Sequence, residues 1–251
     1  MNSKPLIGRT ALISGASRGI GRAIVEKFAE MGCEILAGVR TPNLNLSAEF
    51  AQLASKHQTK ITEVHVDLSD AEKGAACAKY ILASNDIHIL VNNAGIANGS
   101  TFQMTKMSDF REVFEVNFFA TVAFTQPISR RMMRLRECSI INLGSTAGLN
   151  GDTGTSSYGS SKAALMYLTK VMAMELGQAG IRVNAVAPTV TETDMFDQMS
   201  GDARDALIQG GAIRRASTPR EIANVVAFLA SPESSMITGQ ILRVDGGQRG
   251  R

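Results

Sequence analysis

Tyr158 and Lys162 stand four residues apart in Tyr158-Gly-Ser-Ser-Lys162. At that spacing a helix brings both side chains to one face. A phenol titrates near about pH 10 and is a poor acid–base group at neutrality until a neighbouring cation favours its phenolate. Lys162 supplies one cation, and an oxidised nicotinamide would supply another. Ser145 follows the apolar run Ile140-Ile141-Asn142-Leu143-Gly144, so its hydroxyl emerges at the end of a strand, where it can hydrogen-bond a substrate carbonyl. A serine in a glycine-flanked turn is, taken alone, a turn residue. In company with Tyr158 and Lys162 it suits proton transfer to a carbonyl oxygen, the chemistry of reducing a carbonyl to an alcohol.

A reduction needs a hydride source, and the N-terminal segment offers a place for one. Ala11-Leu12-Ile13-Ser14 runs into Gly15-Ala16-Ser17-Arg18-Gly19-Ile20-Gly21 and then into an amphipathic stretch. Glycines at 15, 19 and 21 let the backbone turn tightly and approach a pyrophosphate at a helix N-terminus. The spacing Gly-x-x-x-Gly-x-Gly differs from the commoner Gly-x-Gly-x-x-Gly. A second strand ends Gly38-Val39-Arg40, with no carboxylate to hold a ribose 2′-hydroxyl. Arg40, joined by Arg18, can instead pair with a 2′-phosphate, which favours NADP(H). Asp67 could accept from an adenine amino group, and Asn92-Asn93-Ala94-Gly95 closes another strand at the edge where such sheets bind ligands.

The elements that must carry these residues follow from periodicity. Short β-branched runs at 10–14, 34–39, 62–66, 87–92, 139–143, 182–187 and 240–244 alternate with helical periods near 20–31, 47–57, 71–83, 109–135, 155–179 and 219–230. That alternation predicts an α/β fold: a Rossmann-type, doubly wound parallel sheet of seven strands in a three-layer α/β/α arrangement, forming a single domain over 1–251. Thr218, Pro219 and Glu221 form a helix-start signal with a capping box. Residues 189–216, long, polar and glycine-punctuated, are expected to be an irregular substrate-binding loop.

Composition narrows the function classes. With 26 basic and 23 acidic residues, a formal net charge of +3 gives no argument for nucleic acid or membrane. The local excess Arg130, Arg131, Arg134 and Arg136 suits a solvated helix end. Cys33, Cys77 and Cys138 are odd in number and widely spaced, and His57, His65 and His88 lack ligand spacing, so neither disulfides nor a metal is expected. No signal peptide or membrane span is read in the chain, and a cytoplasmic protein is the expectation.

These motifs together resemble the short-chain dehydrogenase/reductase family over essentially the whole chain, and within it most closely the bacterial 3-oxoacyl-acyl-carrier-protein reductases. The family's glycine motif falls on Gly15, Gly19 and Gly21, its Asn-Asn-Ala-Gly element on Asn92 to Gly95, and its catalytic tetrad on Asn117, Ser145, Tyr158 and Lys162. Arg182-Val-Asn-Ala-Val-Ala-Pro188, Glu192-Thr-Asp-Met195 and Val244-Asp-Gly-Gly247 point the same way. The resemblance implies that Tyr158 donates a proton as NADPH delivers hydride, that Ser145 orients the carbonyl oxygen, and that Lys162 holds the nicotinamide ribose and lowers the tyrosine pKa. Asn117 would place a water that relays protons to Lys162. It implies NADPH/NADP+ contacts from Gly15, Ser17, Arg18, Gly19, Ile20, Gly21, Arg40, Asp67, Leu68, Asn93, Ala94, Gly95, Tyr158, Lys162, Pro188, Thr189, Thr191 and Thr193.

Two departures stand out: Thr189 where the family usually has glycine, and Ala179 at one of two basic positions that dock an acidic acyl-carrier protein, the other matching Arg136. The arginines from 130 to 136 remain the expected carrier contact, and relatives suggest a homotetramer. A 3-oxoacyl thioester on a carrier protein or coenzyme A is the leading substrate class. The alternatives are another small ketone or alcohol (a sugar, a polyol or a polyketide fragment) and a non-enzymatic NADPH-binding protein.

Overall fold

A computed structural model describes residues 4–197 and 201–248. All seven apolar runs form strands: β1 Thr10–Ser14, β2 Glu34–Val39, β3 Ile61–His65, β4 Ile89–Asn92, β5 Cys138–Leu143, β6 Ile181–Pro188 and β7 Ile241–Val244. Every pairing is parallel and the order is β3-β2-β1-β4-β5-β6-β7. The chain therefore winds outward from β1 in one direction, then returns to lay β4 on its other side. Ligands of open α/β sheets bind at such a switch, beyond the strand C-termini. Ser14, Val39, Asn92, Leu143 and Pro188 end their strands on that edge.

Parallel strands with both faces covered are apolar throughout, and β4 and β5 are buried at every position. One face packs under α1 Gly19–Glu30, α2 Leu44–His57 and α10 Pro219–Ala230, with Phe28, Phe50, Ile222 and Val226 in its core. The other packs under α3 Ala71–Leu82, the helical run 107–132 and α7 Ser156–Leu176, around Leu90, Phe124, Ile128 and Ile140. Thr218 and Glu221 form the expected capping box on α10, with Pro219 in its first turn.

The structure departs from the sequence reading in four places. The single helix expected near 109–135 is α4 Met107–Phe114, a π-helical turn Glu115–Ala120 and α5 Thr121–Met132. Helix α2 begins three residues early because the Asn43 side chain accepts from Asn45 N–H and caps it. Residues 189–216 are not an irregular loop: they contain α8 Asp194–Asp197 and α9 Gly201–Gln209. A short helix, α6 Ala147–Asn150, also follows β5. Strand ends otherwise differ by one or two residues, the usual fraying of pattern-based boundaries.

Candidate active site at the sheet switch

The turn between β1 and α1 is shaped for close backbone approach. Gly15 has φ +68°, a left-handed conformation that costs other residues, and a Cβ on Gly21 would lie 2.0 Å from the Gly15 carbonyl oxygen. Asn93 holds this turn against β4: its amide donates to the carbonyls of Ser14 and Gly15, both at 3.0 Å. Ser14, fully buried, accepts from Asn93 N–H and Ala94 N–H at 3.1 Å each. Sequence reading took Asn93 and Ala94 as ligand contacts and passed over Ser14; the structure makes all three a clamp on the turn.

Ile20 packs its side chain on the core below, and Ser17 and Arg18 are exposed. Helix α1 has no acidic residue in its first turn and no side-chain cap on its N-terminal N–H groups, so its positive end is left for an anion. Arg40 is exposed at the end of β2, with no ion-pair or hydrogen-bond partner among the described residues. Arg18 is paired with Asp194 in the free chain. Asp67 accepts from Ser69 N–H at 2.9 Å and lies 3.5 Å from Lys73, which hold its carboxyl below the usual range. Leu68 buries its side chain in the core, leaving only its backbone for a ligand.

The second half of the site is built by β5, α7 and the π-helical turn. Tyr158 and Lys162 share a face of α7, with Lys162 Nζ 5.8 Å from the phenol ring centre. Lys162 is 4% exposed and donates to the Leu143 carbonyl at the end of β5, 2.8 Å away. Ser145, two residues beyond that strand, accepts from Ala147 N–H at 3.2 Å, and its side chain is near enough to the Tyr158 phenol to oppose the effect of burial on it. Asn117 sits in the π-helical turn, a register shift often found at functional sites. Its amide pairs with both backbone groups of Ile96, at 2.8 and 2.9 Å, and donates to Ser161 Oγ at 3.1 Å. Ser161 donates in turn to the Tyr158 carbonyl at 2.7 Å. A Cβ on Gly95 would meet Asn117 Oδ1 at 3.0 Å and Lys162 Nζ at 3.3 Å, so all three converge.

Below the site runs a buried polar ladder absent from the sequence reading. Asn92 donates to Thr125 Oγ1 and Asn142 Oδ1, and Asn142 donates to Thr169 Oγ1, each at 2.8 or 2.9 Å. Thr125 and Thr169 bond back to their own helices, so α5 and α7 are registered through β4 and β5.

Electrostatics differ from the expectation for the Tyr–Lys pair. Burial pushes Tyr158 up, opposed by the Ser145 hydrogen bond, and burial lowers Lys162 to about 8. In the free chain burial, rather than the neighbouring charge, dominates both groups.

The other expected contacts line the end of β6. Pro188 accepts from Thr146 N–H at 2.9 Å, tying β6 to the Ser145 turn. Thr189 donates its N–H to the Val244 carbonyl, while its hydroxyl is buried without a partner among the described residues. Thr191 Oγ1 is 2.9 Å from Ser217 Oγ, and Thr193 Oγ1 donates to the Thr191 carbonyl. Among the arginines, Arg131 is tied to Asp86 at 2.8 Å, and Arg136 adopts φ +60°. Its backbone packs beside Gly180, next to Ala179, so the ends of α5 and α7 are neighbours. Among the described residues no helix is long and apolar enough to cross a membrane, and no His/Cys/Asp/Glu group could hold a metal ion.

A Rossmann sheet with a glycine turn at its switch and a Ser–Tyr–Lys cluster beside it defines an oxidoreductase acting on CH–OH and C=O groups. The chain belongs to the short-chain dehydrogenase/reductase family. Residues 15–249 match the family model described as enoyl-(acyl carrier protein) reductase. The 3-oxoacyl-[acyl-carrier-protein] reductase of Vibrio cholerae serotype O1 is 37% identical, over 96% of this chain and 98% of that protein. A solved 7α-hydroxysteroid dehydrogenase complexed with NADH and 7-oxo glycochenodeoxycholic acid is 31% identical with TM-score 0.89, covering 100% of this chain and 98% of the other. The 3-oxoacyl (acyl-carrier-protein) reductase of Agrobacterium tumefaciens C58 with NADP bound is 27% identical with TM-score 0.89, covering 97% of this chain and 95% of the other.

Proposed function

We propose that the chain reduces 3-oxoacyl thioesters to 3-hydroxyacyl thioesters with NADPH. The observation that carries this reading is the grouping of two hydroxyls, Ser145 and Tyr158, with Lys162 and Asn117. Two hydroxyls held together can both donate to one oxygen, which suits a carbonyl better than the carbon–carbon double bond of an enoyl substrate. Relatives at 33–37% identity that bear the 3-oxoacyl reductase name support the same substrate class.

The residues at the switch fit a phosphate-bearing dinucleotide. Gly15 and Gly21 let the turn close tightly, and the uncapped α1 N-terminus and Arg40, unpartnered among the described residues, offer positive charge for pyrophosphate and 2′-phosphate. Bound there, NADPH supplies the hydride. Tyr158 would give its proton to the substrate oxygen, Ser145 would orient that oxygen, and Lys162 would hold the nicotinamide ribose. Burial disfavours the Tyr158 phenolate in the free chain, and a bound oxidised nicotinamide would add a cation that favours it. Asn117 positions the backbone of Ile96 and a water that returns a proton towards Lys162. Thr189, Thr191 and Thr193 border the nicotinamide end, and 189–216 holds the acyl group.

An acidic carrier would meet Arg130, Arg134 and Arg136, with Arg131 committed to Asp86 and Ala179 neutral. That reduced set favours a role for coenzyme A thioesters beside carrier-bound ones. Exposed Phe119, Tyr167 and Met174 give the helices 107–132 and 156–176 an apolar face for a homotetramer.

Purified protein mixed with acetoacetyl-coenzyme A should oxidise NADPH and leave NADH nearly untouched. Tyr158→Phe should lose about 10²- to 10⁴-fold in rate while still binding NADPH. No oxidation of either cofactor by a chain that binds NADPH would refute the thioester assignment.

A further inference from the structure

The segment 190–194 is fastened at two ends by different chemistry. Its root is held by neutral bonds: Ser217 N–H donates to the Val190 carbonyl at 3.0 Å, and Glu192 N–H to the Ser217 carbonyl at 2.9 Å. Its tip lies on the glycine turn, where a Cβ on Gly19 would meet Thr193 Cγ2 at 3.1 Å, and there Asp194 pairs with Arg18. Arg18 is the N-cap residue of α1, whose first turn brings no acid of its own.

We propose that Asp194 is a specificity-determining residue that competes with the cofactor 2′-phosphate for Arg18. The inference rests on the NADP(H) reading above. A guanidinium fork accepts a carboxylate or a phosphate in the same planar geometry, so the two anions exclude one another at its best face. The phosphate carries more charge, with about −1.5 to −2 at neutrality, and wins. The pair it displaces is weak and screened, because its side chains are 69% and 61% exposed. A cofactor ending in a ribose hydroxyl brings no anion and leaves the pair intact. Arg40, unpartnered, meets the phosphate without competition. Asp194 thereby limits how strongly the chain prefers NADPH over NADH.

The test is equilibrium titration of wild type, Asp194→Asn, Arg18→Ala and the double variant with NADPH, NADH and adenosine 2′,5′-bisphosphate. Asp194→Asn keeps the side-chain size and removes the competitor. It should tighten NADPH and the bisphosphate by about two- to five-fold and leave NADH unchanged. In the Arg18→Ala background the same substitution should have no effect on any ligand. Unchanged or weakened NADPH binding in Asp194→Asn, equal tightening of NADH, or an effect that survives without Arg18 would each overturn the proposal. Equal wild-type affinity for NADPH and NADH would overturn the NADP(H) reading itself.

Discussion

Replacing Lys162 by methionine removes an ammonium group that the fold keeps 4% exposed and leaves an apolar chain of similar length in its place. Burial lowers that ammonium from an ordinary 10.5 to about 8. At 1.36 kcal/mol per pH unit, the interval corresponds to about 3 kcal/mol of destabilisation carried by the charged form. Because the folded pKa lies below the unfolded one, the full penalty is present below pH 8. It fades as pH rises towards 10.5, where the unfolded chain also loses the proton. Against it stands the hydrogen bond to Leu143, whose buried carbonyl loses its donor in the variant at a cost of about 1–3 kcal/mol. The net expectation at pH 7 is a variant more stable than wild type by about 0–2 kcal/mol, and inactive. The sharper quantity is the slope: its advantage should shrink by about 1.4 kcal/mol per pH unit between pH 8 and 10.5, a difference in which other titrating groups cancel. Urea unfolding of both proteins at pH 7, 8, 9 and 10 measures it. A stability difference that stays flat across that range would show that Lys162 titrates normally and would refute the reasoning from burial.

Two further substitutions probe the same region. Thr189→Val keeps the branched shape and deletes a buried hydroxyl that has no partner, so it should be neutral or stabilise by up to about 1 kcal/mol; a loss of more than that in thermal unfolding would mean the hydroxyl is satisfied. Gly21→Ala places a methyl 2.0 Å from the Gly15 carbonyl oxygen and 2.6 Å from Asn93 Nδ2, which cannot both yield without opening the clamp on the turn. It should cost about 1–3 kcal/mol of stability and at least about ten-fold in NADPH affinity; wild-type affinity in a calorimetric titration would contradict the close-approach argument.

Much of this architecture was legible in the sequence because its causes are local. Apolar β-branched runs of four to eight residues identify strands buried on both faces, and all seven emerged within a residue or two. Thr218-Pro219-Arg220-Glu221 states its own helix start, since the capping box closes within four residues. The four-residue spacing of Tyr158 and Lys162 needs only a helix to become a shared face. By contrast, 189–216 read as loop because glycines and polar residues conceal the short α8 and α9. The π-helical turn gave only an irregularity at Asn117, since one extra residue in a turn does not change composition.

Sequence alone determined the fold class, the identity of the residues that can transfer a proton and the absence of an acid at the end of β2. Each is a matter of residue type and short spacing. Tertiary structure decided what joins residues far apart in the chain: Asn93 and Ser14 on the glycine turn, the Asn92–Asn142–Thr169 ladder, and Arg18 with Asp194. It also decided that Lys162 is desolvated enough to titrate near 8 rather than at an ordinary 10.5. Such pairings depend on which strands become neighbours, and burial depends on what the assembled layers exclude, neither of which is encoded within any one segment.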